Sequence, residues 1–96
     1  MSILLTEAER NGLGSSLSAW TLAKGGKAID RTIRYKDFNE DWGFMNRVAQ
    51  LAEGMGHHPD WSNVWNTVRI ELSTHDAGGL TDLDVKLATA IDALLA

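Results

Sequence analysis

The 96-residue sequence contains no cysteine and only one proline. Without cysteine, the chain cannot form disulfide bonds, thiolate nucleophiles or cysteine-ligated metal sites. It also lacks any apolar run near the roughly 20 residues that a membrane-spanning helix needs. The opening stretch MSILLTEAER has no basic segment ahead of its short apolar run, as a secretory signal would have. We therefore predict a cytoplasmic protein without a membrane partner.

Positive charge is scarce as well. Nine Lys and Arg residues are outnumbered by 13 Asp and Glu residues, which gives a formal net charge of −4. Proteins that bind nucleic acid through its phosphates carry basic patches or runs, and the sequence has none. We therefore predict no nucleic-acid partner. The length and the 44% hydrophobic content fit a single globular domain over residues 1–96.

Capping and apolar spacing predict three helices. Thr6 and Asp37 each precede an acidic residue by three positions, which is the capping-box spacing of a helix start. The stretch Thr81-Asp82-Leu83-Asp84 is expected to start the third helix. We expect Gly12 and Gly14 to limit the length of the first helix. Apolar residues recur at three- and four-residue spacing through the other two, as a helix buried on one side requires. These residues are Trp42, Met45, Val48, Ala49 and Ala52 in the second helix, and Leu83, Leu87, Ala88, Ile91, Leu94 and Leu95 in the third.

The remaining segments predict strands. Two strand-like runs flank Gly25-Gly26, a common hairpin signal, and a second hairpin is expected to turn at Asn66. Apolar and polar residues alternate after each turn, so one face of each strand is expected to be buried. The sequence thus predicts a two-layer α+β domain, with an antiparallel sheet of about four strands and helices packed on one face. A parallel sheet is disfavoured because a two-glycine turn cannot provide a helical crossover.

All three histidines lie in loops at the ends of predicted elements. His57 and His58 follow the second helix in GHHPDW, and His75 follows the last strand in STHDAGGL. Imidazole titrates near pH 6.5, so it can donate or accept a proton at physiological pH. Trp61 and Trp65 add flat aromatic surface that can hold a planar ring. Acidic residues lie nearby at Glu53, Asp60, Asp76 and Asp84.

Two other interpretations of these histidines are open. A His-His pair in a polar loop is more often solvated loop than a site. Three histidines with one open position also form catalytic zinc sites. The sequence lacks the His-x-x-x-His helical spacing that presents two ligands on one face, so proton transfer is favoured over a metal.

Seven residues stand at fixed intervals: Glu53, His57, His58, Pro59, Trp65, His75 and Asp84. This pattern resembles that of the pterin-4a-carbinolamine dehydratase family. The stretch KDFNEDWGFMNRVAQLAE is similar to the family's long helix, and STHDAGGLTDLDVKLA to its last loop and helix. The resemblance covers about residues 35–90. Many members have an acidic residue directly before the His pair, where this chain has Gly56.

The resemblance implies an enzyme that removes water from a 4a-hydroxytetrahydropterin to give quinonoid dihydropterin, as in tetrahydrobiopterin recycling. It implies His57 and His75 as the proton-transfer pair, and His58 as a residue that orients substrate or shares the acid role. Glu53 and Asp84 are expected to fix imidazole tautomers or to accept hydrogen bonds from the pterin. Trp61 and Trp65 are expected to form walls of the pocket. Such a reaction needs neither a cofactor nor a metal.

The resemblance also implies a homodimer or homotetramer and a functional link to an aromatic amino acid hydroxylase, which releases the carbinolamine. The alternative function is a non-catalytic dimerisation or binding module of the same fold, acting as a partner or coactivator protein. The intact set of histidines favours the enzyme.

Because the histidines lie in loops, replacing His57 or His75 by alanine is expected to lower the reaction rate strongly and the stability of the fold little.

Overall fold

A computed structural model describes residues 3–96. The elements follow one another as α1 (Glu7–Ser16), β1 (Thr21–Ala23), β2 (Ala28–Arg34), α2 (Phe38–Met55), β3 (Asp60–Val64), β4 (Thr67–Leu72) and α3 (Asp82–Leu95). Single 3-10 turns lie at Lys24–Gly26 and His75–Ala77. The four strands form one antiparallel sheet in the order β1-β2-β4-β3. The predicted α+β class and four-stranded sheet are confirmed.

One face of the sheet is covered and the other is polar. Ile29 and Ile33 of β2, together with the buried residues of β4, pack against the helices in one core. The opposite face carries ion pairs, with Arg69 2.7 Å from Asp30 and Lys24 2.8 Å from Glu71. Alternation along the strands separates these two sets of side chains. The core residues of β4 and the helices are Val68, Ile70, Leu72, Leu13, Phe44, Val48, Ala52, Leu87, Ala88 and Ile91.

Helix α1 is longer than the sequence predicts. It continues through Gly12 and Gly14 to Ser16, so the expectation that these glycines would limit it is wrong. A glycine costs about 1 kcal/mol relative to alanine inside a helix. The burial of Leu13, and of Leu17 directly after the helix, offsets that cost.

All three helices start where the sequence predicts, after Thr6, Asp37 and Thr81. Thr6 and Thr81 form reciprocal capping boxes with the acidic residue three positions on. Asp37 caps α2 by accepting from the backbone N–H of Glu40, but Glu40 makes no return bond. Its carboxylate instead lies 3.6 Å from Lys36, so the second capping box is only half formed.

The buried side of α2 differs from the predicted stripe. Trp42 and Ala49 are exposed, and Asp41 and Phe44 are buried in their place. Phe44 packs in the core with its ring 5.5 Å from that of Tyr35. The apolar spacing of α2 fits two neighbouring helix faces, one with Trp42 and one with Phe44. The face with Phe44 is the one that packs in the core. Within residues 3–96, no helix has the length and apolar character required to cross a bilayer.

Asp41 is a buried carboxylate with incomplete hydrogen bonding. Its side chain is fully buried, Oδ2 accepts from the amide of Asn63, and Oδ1 has no partner. Burial raises the pKa of Asp41 above its ordinary value of 3.8. A raised pKa in the folded state favours the protonated carboxyl, so the stability due to this group is complete below pH 3.8. That stability is lost as the pH rises through the folded pKa.

We therefore expect Asp41→Ala to raise the unfolding temperature at pH 7 by a few degrees, since about 1 kcal/mol corresponds to about 4–8 °C in a domain of this size. Asn63 keeps two backbone acceptors, the carbonyls of Trp65 and Thr67. The gain should shrink as the pH falls towards 4. Thermal unfolding of both proteins across pH 4–7 measures it, with Glu40→Ala as the control for losing an exposed acid. A gain that does not depend on pH would contradict this account.

Candidate active site

The end of α2 sets the position of the two adjacent histidines. Gly56 terminates the helix in the left-handed conformation, with φ at 64°, and its N–H donates to the carbonyls of Ala52 and Glu53. The N–H of His57 also donates to the Ala52 carbonyl, at 3.0 Å. A left-handed cap favours glycine. This conformation gives a structural reason for glycine at position 56.

His57 turns inwards onto a buried carboxylate. The imidazole is 8% exposed, and its Nε2 lies 2.6 Å from Oδ1 of the fully buried Asp84. The other oxygen of Asp84 accepts from the Thr74 hydroxyl at 2.8 Å and from the backbone N–H of Thr81 at 2.9 Å. Asp84 thus closes the capping box of α3 and holds His57 at the same time.

His58 points outwards. Its Nε2 lies 2.8 Å from Oε1 of Glu53, one helical turn earlier on α2. Both side chains are largely exposed, and exposed pairs of this kind contribute little stability. His58 is therefore accessible to a ligand and weakly restrained.

His75 comes from a different segment of the chain. It begins the 3-10 turn between β4 and α3, and its side chain is exposed, with no hydrogen bond to any residue in 3–96. The loop around it is closed by backbone bonds: the Thr74 N–H donates to the Gly79 carbonyl, and the Ala77 N–H donates to the Thr74 carbonyl. An exposed imidazole is thus presented on a well-defined loop.

The three imidazoles line one cavity of about 230 Å³, here called the histidine cavity. A larger groove of about 420 Å³ between α1 and α3 is mostly apolar and contains no imidazole. The histidine cavity is therefore the better candidate for proton chemistry. It is lined by Gly56, His57, His58, Ser73, Thr74, His75 and Asp76.

A family model described as pterin 4 alpha carbinolamine dehydratase matches residues 3–94. The chain belongs to this family. A protein of Synechococcus sp. (strain WH7803), provisionally named pterin-4-alpha-carbinolamine dehydratase, is 54% identical over 94 residues, which are 98% of this chain and 99% of the relative. A Bradyrhizobium diazoefficiens protein with the same provisional name is 53% identical over 95% of this chain and 90% of its own length.

Solved structures agree with this membership. A crystal structure from Brucella melitensis, described as a transcriptional coactivator/pterin dehydratase, matches with a TM-score of 0.90 and 40% identity over 96% of this chain and 98% of its own. A pterin dehydratase-like protein, described as a RuBisCO assembly factor in the α-carboxysome, matches with a TM-score of 0.68 over 79% of this chain and 88% of its own. At 21% identity, the second match shows only the shared fold.

Four of the expected site residues do not line the histidine cavity: Glu53, Asp84, Trp61 and Trp65. Glu53 and Asp84 contact its histidines His58 and His57, whereas the two tryptophans lie elsewhere. Trp61 points from β3 towards the core, where it is half-buried. Trp65 lies in the β3–β4 turn and is 65% exposed. At about 3.3 Å per residue, β3 carries the chain roughly 15 Å away from the cavity before Trp65 is reached. The geometry of the single chain therefore gives no support to these residues as pocket walls.

One residue that contacts the site is not evident from the sequence. The hydroxyl of Thr74 binds Asp84, although nothing in the sequence around it marks a site residue. Asp84, which the resemblance implies as a residue that fixes an imidazole tautomer, is the acidic member of the Thr81 capping box and lies 2.6 Å from His57. The burial of His57 also argues against the expectation that it matters little for folding, because alanine there would leave Asp84 Oδ1 without its partner.

Proposed function

We propose that this protein dehydrates a 4a-hydroxytetrahydropterin to quinonoid dihydropterin by histidine general acid/base catalysis. The convergence of three imidazoles on one cavity, one of them held by a buried carboxylate, is the observation that carries the proposal. Membership of the dehydratase family supports it independently. The cavity is small and open, which suits a compact two-ring substrate that stays partly exposed.

The reaction requires two proton transfers and no other group. The bond between C4a and its hydroxyl oxygen breaks, and the electron pair on N5 forms the new C4a=N5 double bond. One proton must reach the departing hydroxyl so that it leaves as water, and the N5 proton must leave. A positioned acid and a positioned base each commonly contribute about 10²–10⁴-fold to the rate of such a reaction.

His57 is the better base. Since Asp84 receives hydrogen bonds from its other neighbours, the natural arrangement is for His57 Nε2–H to donate to Oδ1, leaving the lone pair on Nδ1. Nδ1 of His57 makes no hydrogen bond within residues 3–96. Among these residues, Oδ1 of Asp41 is the only buried side-chain nitrogen or oxygen without a partner, so Nδ1 of His57 is not buried. Nδ1 is therefore reachable by a ligand. Asp84 would also stabilise the imidazolium that forms when Nδ1 takes the proton.

His75 and His58 remain for the acid role. His75 enters the cavity from the β4–α3 loop, whereas His57 enters from the end of α2, so the two can contact different atoms of one substrate. We assign the leaving hydroxyl to His75. The exposed pair of His58 and Glu53 orients the pterin or shares the acid role.

The proposal is tested by following carbinolamine decay in a stopped-flow instrument with the protein at a concentration far below that of the substrate. The expected result is decay faster than the spontaneous rate over many turnovers. A decay rate unchanged by folded protein would exclude this activity.

Activity is expected to be independent of metal ions. Within residues 3–96, no three His, Asp or Glu side chains gather as a metal site requires, and the acidic neighbours of His57 and His58 are already engaged by them. Dialysis against a chelator should leave the rate unchanged, with metal content measured on the same samples. Stoichiometric zinc whose removal abolishes turnover would contradict this expectation.

A binding module is the second candidate function, and one surface favours it. Three large aromatic side chains are exposed where the start of α2 meets the β3–β4 turn: Phe38 by 47%, Trp42 by 52% and Trp65 by 65%. We call these residues the aromatic surface. The ring centroids of Phe38 and Trp42 lie 6.1 Å apart with the ring planes tilted by 32°. The Asn63 amide connects the two segments by donating to Asp41 and to the Trp65 carbonyl. Exposed apolar groups of this size commonly mark interaction sites.

A homodimer or homotetramer is the association we propose first for this chain, since a domain of this length buries limited surface alone. Light scattering at micromolar concentration should give a multiple of the 10.5 kDa chain mass. A mass of 10.5 kDa would contradict the oligomer.

We further propose a cytoplasmic location and a functional link to an aromatic amino acid hydroxylase. A Trp42→Ser variant that loses partner binding but keeps dehydration would separate the two candidate functions.

A further inference from the structure

Thr74 occupies the junction between the two histidine-bearing segments. It follows β4, directly precedes His75, and its side chain is buried. Its hydroxyl lies 2.8 Å from Asp84 Oδ2 and 2.7 Å from the hydroxyl of Thr81. One buried hydroxyl is therefore in contact with the carboxylate that holds His57.

The direction of these hydrogen bonds follows from the number of protons available. A hydroxyl has one proton to donate, and a carboxylate can only accept. Thr74 therefore donates its proton to Asp84, and the Thr81 hydroxyl donates to Thr74. The backbone N–H of Thr81 also donates to Asp84 Oδ2. The Thr74 hydroxyl proton and the Thr81 backbone proton therefore both point towards Oδ2 of Asp84.

This arrangement leaves one role for the remaining oxygen. Oδ2 of Asp84 accepts two hydrogen bonds, and Oδ1 faces His57. Because a carboxylate oxygen can only accept, the 2.6 Å hydrogen bond between Oδ1 and Nε2 requires a proton on Nε2. The neutral imidazole then carries its lone pair on Nδ1. The hydrogen bond on one ring nitrogen fixes the tautomer at the other.

The backbone of Thr74 also holds the other histidine. Its N–H donates to the Gly79 carbonyl at 2.9 Å, and its carbonyl accepts from Ala77 at 3.1 Å and from Gly78 at 3.0 Å. These bonds close the loop that presents His75. The same residue thus restrains His57 through its side chain and His75 through its main chain.

We propose that Thr74 is a positioning residue that orients Asp84 and thereby holds His57 as the Nε2–H tautomer, with Nδ1 as the proton-accepting atom. The catalytic meaning of this inference rests on the proposed dehydratase function. The tautomer itself is a property of the free protein and is measurable without substrate.

The informative substitution is Thr74→Val, which keeps the β-branched shape and every backbone bond but removes the hydroxyl. Thr74→Ser restores the hydroxyl, and Thr89→Val is a matched control. The Thr89 hydroxyl bonds only the Val85 carbonyl on the exposed side of α3. Thr74→Val is expected to lower kcat/KM by about 10–100-fold, the range known for metal-binding imidazoles that lose an outer hydrogen-bond partner. Thr74→Ser and Thr89→Val should stay near the wild-type value.

The deciding readout is the ¹⁵N spectrum of the His57 ring at a pH where the ring is neutral. The wild type, Thr74→Ser and Thr89→Val should show the proton on Nε2, and Thr74→Val should show a mixture of tautomers. A wild-type spectrum with the proton on Nδ1 would overturn the proposal even if Thr74→Val does not fold. So would a folded Thr74→Val protein with the wild-type spectrum. An inactive wild type with the proton on Nε2 would instead overturn the dehydratase function and leave the tautomer inference supported.

Discussion

His57→Gln is expected to lower kcat by about 10²–10⁴-fold, the range for losing a positioned base. The glutamine amide nitrogen can donate to Asp84 from nearly the same position as imidazole Nε2, so the buried carboxylate keeps its partner. Glutamine has no basic lone pair that could take the N5 proton. The unfolding temperature should therefore stay close to the wild-type value while turnover falls. Stopped-flow carbinolamine decay and thermal unfolding measure the two effects.

Two further variants sharpen this comparison. His57→Ala should lose both activity and stability, because it leaves a fully buried carboxylate oxygen without a hydrogen bond. His58→Gln should reduce activity less, since that imidazole is exposed and paired only with exposed Glu53. A His57→Gln protein that keeps full specific activity would show that His57 has a structural role only.

Asp84→Asn is expected to lower kcat by a factor similar to that of His57→Gln, for a different reason. Two protons, from Thr74 and from the Thr81 backbone, point at Oδ2, so the asparagine oxygen must take that position. The amide NH₂ then faces His57 Nε2. Because the NH₂ group donates, Nε2 must accept and cannot carry a proton. The imidazole proton moves to Nδ1, and the base loses its lone pair towards the cavity. In serine-protease triads the corresponding change lowers kcat by about 10⁴-fold.

The matched control for this variant is Asp82→Asn. Asp82 belongs to the same first turn of α3, but it is exposed and lies 3.7 Å from Lys86. Steady-state rates should show a loss of about 10²–10⁴-fold for Asp84→Asn and little change for the control. A folded Asp84→Asn protein with wild-type kcat would contradict the assignment of His57 as the base.

Regular periodicity made much of the fold predictable. Alternation in β2 and β4 identified the buried face, and Thr6, Asp37 and Thr81 located the three helix starts. The apolar spacing in α2 was ambiguous, because Trp42 and Phe44 each fit a helical stripe and only packing with the sheet buries Phe44. Burial of a carboxylate at Asp41 has no sequence signal, since an acidic residue in a first helical turn is ordinarily exposed.

The grouping of the three histidines was predictable from the sequence, and the geometry around them was less so. The spacing of His57, His58 and His75 indicated a common site, and the structure places them around one cavity. Glycine at position 56 is a helix-end signal in the sequence, but it does not show that the chain leaving this turn buries His57. Pairing between distant positions, such as Thr74 with Asp84, depends on how β4 meets α3 and cannot be obtained from local spacing.

The central claim is that His57 and His75 act on the same transition state of pterin dehydration. Carbinolamine decay measured with the wild type, His57→Gln, His75→Gln and the double variant tests it most directly. Each single variant should lose about 10²–10⁴-fold in kcat, and the double variant should lose less than the product of the two, because one missing proton transfer already disables the shared step. Full activity in both single variants, or no acceleration by the wild type, would contradict the claim.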